Sequence, residues 1–138
     1  MSTRARDALG RPVPDGSPEA VEPVSAEPLP PYDAVQEARR LLSIGRPFFA
    51  HEVLEASWKS APPPERDLWQ GLAQVCVGLT HLQRGNAVGA VRLLERGATR
   101  LSGRPPAYGV DPEQVANDAR ALAAAIGAGR RPAAKLIL

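Results

Sequence analysis

Aromatic side chains are scarce in this chain: two each of Phe, Trp and Tyr make up 4% of its 138 residues. A core must therefore come from Ala, Leu, Val and Gly, which let backbones approach closely. That suits helices better than sheets, whose propensity rests on aromatic and β-branched residues. Cysteine occurs once, as Cys76, which excludes an intrachain disulfide. A lone thiol inside an apolar run behaves as a small hydrophobe, as expected in a reducing compartment. No apolar run approaches the roughly 20 residues a membrane span needs, and no basic-then-apolar leader opens the chain. A cytoplasmic location with no membrane partner is the expectation. Lysine is nearly missing, two against fifteen Arg, and the net charge is only +2 at a pI of about 9.1. The basic residues are spread along the chain without a block, so nucleic acid is not the expected partner.

What is present divides the chain in two, a tail at 1–31 and a single helical domain at 32–138. Residues 1–31 hold seven of the fifteen prolines, with Ser, Glu and Asp between them and no periodic apolar face. Such a segment cannot bury enough surface to offset ordering and is expected to be a disordered, solvated tail. From Tyr32 onward apolar residues recur at helical spacing. Asp33 is the expected N-cap of a first helix that Gly45 ends. A second helix runs from Pro47 to the Pro62–Pro64 stop, and a third from near Glu65 to Arg84, with Gly85 as terminator. Asn86 caps a fourth, broken by Gly103, Pro105 and Pro106, and Asp111 with Pro112 opens a fifth that reaches Gly127. One ordinary core suffices for this length, so the fold class is all-α, a compact antiparallel bundle of about five helices.

Two helices carry polar groups where packing alone would not put them. At 100° per residue Phe48, His51, Glu55 and Trp58 share one stripe of the second helix. The third is apolar nearly all round, yet Gln70, Gln74 and His81 align opposite Leu68, Leu72, Val75 and Leu79. If that stripe is buried, each unpaired group costs roughly 1–3 kcal/mol. The nearest partners are His51, Glu52 and Glu55 on the preceding helix. A hydrogen-bonded His/Glu/Gln cluster that fixes the packing of these two helices is the expectation. The alternative is a divalent metal held by His51, Glu55 and His81, with Glu52 beside it as a base. The zincin pattern is excluded, because Glu55 stands where a second His is required. Trp58 and Trp69 read as core residues, and Gly71, Gly78 and Gly89 as points of close helix contact.

The run Phe49-Ala50-His51-Glu52-Val53-Leu54-Glu55-Ala56-Ser57-Trp58, then Gln70-Gly71-Leu72-Ala73-Gln74, His81, Gly85-Asn86, Gly89-Ala90 and Leu93-Leu94 resembles the signature of the domain of unknown function 309. The resemblance covers about residues 33–103. It implies a compact helical bundle, broadly like helical-hairpin repeat packing, and no established activity. The family's recurring positions map onto His51, Glu52, Glu55, Trp58, Gln70, Gln74, His81, Gly85 and Asn86.

The expected function is a non-enzymatic binding or scaffold module with a protein partner, another copy of the chain included, and no required cofactor. A hydrolase-like enzyme using a divalent metal or small ligand at His51, Glu52, Glu55 and His81 is the competing reading. A weak nucleic-acid binder is a third, resting on the row of Arg92, Arg96 and Arg100, with Arg84 nearby.

Overall fold

The structure is a computed structural model that describes residues 5–138. The first four residues of the expected tail lie outside the described residues. Among the described residues five α-helices follow one another: α1 Pro31–Ser43, α2 Pro47–Ser60, α3 Arg66–Gln83, α4 Ala87–Leu101 and α5 Pro112–Gly127, with a 3-10 turn Pro63–Glu65 ahead of α3. Each helix packs on its neighbour in sequence, and α3 is clasped between α2 and α4. The result is the compact bundle that short connections impose.

Two of the turns are built alike. At the end of α1, Gly45 adopts φ +75°, its N–H donates to Leu42 and the Arg46 N–H donates to Leu41. At the end of α3, Gly85 adopts φ +79°, its N–H donates to Leu82 and the Asn86 N–H donates to His81. Both are Schellman turns, which need a residue free to take positive φ. The Gln83 side chain donates to the Gly45 carbonyl at 2.8 Å and ties the two turns together. The helices after them also correspond, since Ala50 and Leu54 of α2 and Ala90 and Leu94 of α4 are all fully buried. The bundle thus contains two equivalent helical hairpins, α1–α2 and α3–α4.

Proline, not aspartate, starts α1. Pro30 is the N-cap residue, Pro31 stands in the first turn, and Asp33 lies inside that turn without capping it. Proline's fixed φ suits the first helical position, and an acid a little further in still favours the positive end of the helix dipole. Asn86 and Asp111 do cap, accepting from the Gly89 and Gln114 N–H groups.

The core is aliphatic. Trp69 and Phe49 are its buried aromatics among the described residues. Trp69 is the larger of the two. It stacks on Tyr108 at 5.6 Å between ring centroids, and Tyr108 meets Tyr32 edge-on at 5.5 Å. Close approach of α3 and α4 depends on glycine. A Cβ at Gly78 would lie 2.7 Å from Leu94 Cγ, and one at Gly97 would lie 2.8 Å from the Gly71 carbonyl oxygen. Cys76 is fully buried, and desolvation pushes its thiol up to about 12. The C-terminus docks back: Leu138 is buried, and Arg39 of α1 donates to its carbonyl at 2.7 Å.

Residues 5–30 form no helix. Their contacts are local turns together with a few points of attachment to the bundle, where Val21 and Val24 pack against the core and Arg84 donates to the Leu9 carbonyl at 2.7 Å.

Candidate functional site

The six polar residues picked out on α2 and α3 separate into three places. On α2, His51 Nε2 lies 2.8 Å from one Glu55 oxygen, and Lys59 Nζ lies 3.0 Å from the other. These are i, i+4 neighbours, so the chain His51, Glu55, Lys59 is written along one helix face by its 3.6-residue period. The second ring nitrogen of His51 sits 3.3 Å from the Phe48 carbonyl of the preceding turn. Burial pushes the Glu55 carboxyl up, but the Lys59 hydrogen bond and the charges of His51 and Lys59 outweigh it and hold Glu55 below the usual carboxylate range. Glu52, half-buried, goes the other way. Desolvation raises it, His51 and Arg6 only partly offset this, and Glu55 adds to it.

His81 turns away from α2 and towards α4. The Asn86 side-chain amide donates to His81 Nδ1 at 3.1 Å, while Asn86 Oδ1 accepts the Gly89 N–H at 3.0 Å. Acceptance at Nδ1 requires the ring proton on Nε2. Burial, then the charges of Arg84 and Arg92, lower the His81 pKa, which keeps the ring neutral. A Cβ at Gly89 would lie 2.6 Å from Asn86 Nδ2 and 2.9 Å from His81 Nδ1. His81, Gly85, Asn86 and Gly89 are therefore parts of one turn, in which each residue type is required by the next.

Two expectations are corrected by this geometry. The six residues are half-buried, not buried, and the third-helix stripe does not pair with α2. Its His81 faces the α3–α4 turn, and its Gln74 faces α4. The metal set His51, Glu55 and His81 does not come together either. His81 is engaged with Asn86, and among the described residues no three His, Cys, Asp or Glu side chains form a group able to hold a metal ion. The physical reason is that α3 is buried on both flanks, so its polar stripe can face α4 as well as α2. Periodicity gives the stripe but not the neighbour. Trp58 packs half-buried at the edge of the core, and Gln70 is half-buried on α3.

A large concavity lies elsewhere, between α3 and α4. It is a groove of about 1020 Å³ lined by Asp67 and Gln74 from α3 and by Arg92, Glu95, Arg96 and Arg100 from α4 among others. At one end Arg100 and Arg104 clamp Asp67, one on each carboxylate oxygen, at 2.9 and 2.8 Å. The Arg104 hydrogen bond, opposed by desolvation and supported by Arg100, holds Asp67 below its usual range. Arg92 and Arg96 are exposed and, among the described residues, in no ion pair. Gln74 Oε1 is buried in the groove wall without a hydrogen-bond partner. The four-residue spacing of the arginines was legible in the sequence. Their role as one wall of a groove was not, nor was the Asp67 clamp, whose partners lie 33 and 37 residues away.

Residues 35–93 match the model of a family described as a domain of unknown function (DUF309). That segment contains α2, α3 and the first half of α4, with the His51, Glu55, His81 and Asn86 contacts inside it. A stretch of 48 residues, 34% of the chain, is 46% identical to the Uncharacterized protein YpuF of Bacillus subtilis (strain 168). The match takes in 28% of YpuF, so the chain spans less than a third of the length of that relative. No solved structure matches the chain.

Proposed function

We propose that this chain, which resembles the domain of unknown function family over residues 35–93 and takes no activity from that resemblance, is a non-enzymatic binding module that holds an acidic, helical segment of a protein partner in the groove between α3 and α4. The observation that carries this reading is the pair Arg92 and Arg96, one turn apart on the exposed side of α4 and facing a groove of about 1020 Å³. Their neighbours Arg100 and Arg104 share the Asp67 carboxylate, whereas these two have no carboxylate in ion-pair contact among the described residues. Residues four apart on a helix are spaced by about 6 Å along its axis, which an acidic helix with carboxylates at i and i+4 reproduces. Val88, 72% exposed and one turn before Arg92, offers an apolar contact at the end of the row.

A protein guest suits this surface better than a nucleic acid. Among the described residues no aromatic side chain lines the groove to stack on bases, and Asp67 and Glu95 interrupt its positive charge. His51 and Glu55 of α2 and His81 and Asn86 at the α3–α4 turn support a structural role, since each is engaged by a neighbour on its own helix or turn.

The test is fluorescence anisotropy of a labelled helical peptide bearing Glu at i and i+4, titrated alongside a single-stranded oligonucleotide. Peptide binding that Arg92→Ala with Arg96→Ala weakens by about tenfold, roughly 1.4 kcal/mol, with unchanged helicity, is the expected result. Tighter, salt-steep binding of the oligonucleotide would move the function to nucleic acid. Binding of neither, or binding indifferent to the two arginines, would end the proposal.

A further inference from the structure

The N-terminal segment is attached to the bundle at a face the proposed function does not use. Residues 5–13 form a small closed loop. The Val13 N–H donates to the Ala5 carbonyl, Arg6 and Pro12 form an isolated antiparallel bridge, and the Asp7 and Arg11 backbones pair at 2.9 Å. The Asp7 carboxylate accepts the Leu9 and Arg11 N–H groups at 3.0 and 2.9 Å, which braces the loop from within. Arg6 Nη1 donates to the Gly10 carbonyl at 2.7 Å. A loop held by its own hydrogen bonds is already shaped before it touches anything, and that lowers the ordering cost of docking.

It docks on Phe48. Gly10, buried and at φ +81°, lies so close to the ring that a Cβ there would collide with it. The Arg6 guanidinium sits 4.9 Å from the ring centroid and that of Arg84 5.6 Å, both within cation–π range. Arg84 donates through Nε and Nη2 to the Leu9 carbonyl, at 3.1 and 2.7 Å. The charge of Arg6 acts on the half-buried Glu52 carboxylate, one turn along α2 from Phe48. Three contacts are thus selective: an aromatic face that only glycine can approach, the same face for the guanidinium of an arginine four residues earlier, and a two-pronged donor for one backbone carbonyl.

We propose that the face formed by Phe48 and Arg84 is a peptide-recognition site for a turn with Arg and Gly four residues apart, that residues 6–10 are its tethered occupant, and that a separate polypeptide carrying the same turn can take their place. Three features favour an occupant over a built-in part of the core. The loop lies outside all five helices, it precedes the family-like segment that supplies the site, and its hydrogen bonds close mainly on itself. A tether of this kind presents its ligand at an effective concentration of about millimolar. An untethered copy therefore competes poorly until the resident loop is released.

The experiment uses the full chain and a labelled peptide of residues 5–13. Gly10→Leu in the chain evicts the resident loop, because the substitution meets both the ring and a backbone conformation that L side chains rarely adopt. The peptide is expected to bind this variant at least about tenfold more tightly than the wild-type chain. Adding Arg84→Ala to the variant should abolish that gain, as should Gly10→Leu in the peptide itself. Far-UV helicity of the Gly10→Leu chain is expected to equal that of wild type. Equal peptide affinity for wild type and variant would overturn the proposal, and so would binding indifferent to Arg84→Ala. Loss of helicity in the Gly10→Leu chain would overturn it too, by making the loop part of the fold.

Discussion

At the scale of single residues, the motif positions are explained mostly by the residue beside them. Asn86 both caps α4 and supplies the donor for His81, so Asn86→Ala should cost about 1 kcal/mol or more, read as a lowered urea midpoint. The two glutamates of α2 make opposite predictions. Glu52 has a raised folded-state pKa, so the folded chain holds that proton more tightly than the unfolded one. Its contribution to stability falls as pH rises from the unfolded value of about 4.3 through the folded one. Glu52→Gln should accordingly raise the melting temperature at pH 7, with the gain shrinking towards pH 4. Glu55 has a lowered folded-state pKa, and its stabilisation is present above the unfolded value and lost as pH falls through the folded one. Glu55→Gln should lower the melting temperature at pH 7 and do less harm in acid, and solvent screening keeps that effect small. Melting curves of both variants at pH 7 and pH 4 check the signs. Matching signs for the two substitutions would contradict this account. The pairing of His51 with Glu55 could be read from their spacing, because a helix fixes i, i+4 neighbours. The pairing of His81 with Asn86 could not, since it depends on the turn geometry that Gly85 allows.

At the scale of elements, α3 and α4 are held by glycines where another bundle would use larger knobs. A Cβ at Gly97 would press on the Gly71 carbonyl and, at 3.0 Å, on the Val75 backbone nitrogen. Backbone cannot swing aside as a side chain can. Gly97→Ala should therefore destabilise by about 1–3 kcal/mol despite alanine's better helix propensity. Gly127, at the end of α5, has among the described residues no atom beyond its own helix turn within 4 Å of its would-be Cβ. Gly127→Ala should stabilise by up to about 1 kcal/mol. Thermal or urea unfolding of the two variants side by side checks the contrast. Helix boundaries were legible from Pro, Gly, Asn86 and Asp111, whose chemistry acts within a turn. The α1 start was displaced because two prolines replaced the expected aspartate cap. The correspondence of Gly45, Ala50 and Leu54 with Gly85, Ala90 and Leu94, forty residues apart, was present as an internal repeat and marks the two equivalent hairpins.

At the scale of the whole molecule, five helices leave two unlike surfaces: an arginine-lined groove between α3 and α4, and a face around Phe48 covered by residues 5–13. The acidic-helix proposal and the loop-exchange proposal are separable, because Arg92 and Arg96 line only the former and Gly10 belongs only to the latter. A chain with Arg92→Ala and Arg96→Ala should keep its N-terminal loop protected from protease at wild-type rates. Faster cleavage near Leu9 in that variant would mean that the two surfaces are coupled.

The sequence by itself determined the class of fold, the number and order of the helices and the absence of an intrachain disulfide. Those follow from composition, 3.6-residue periodicity and the local chemistry of caps and breakers, none of which needs a distant partner. It also determined the His51, Glu55, Lys59 row, which a single helix spaces. Only the tertiary structure decided which flank of α3 carries Gln74 and His81, that Asp67 is gripped by Arg100 and Arg104, and that Gly10 rests on Phe48. Each of these joins residues on different elements, and periodicity within one helix carries no information about the neighbour it will meet.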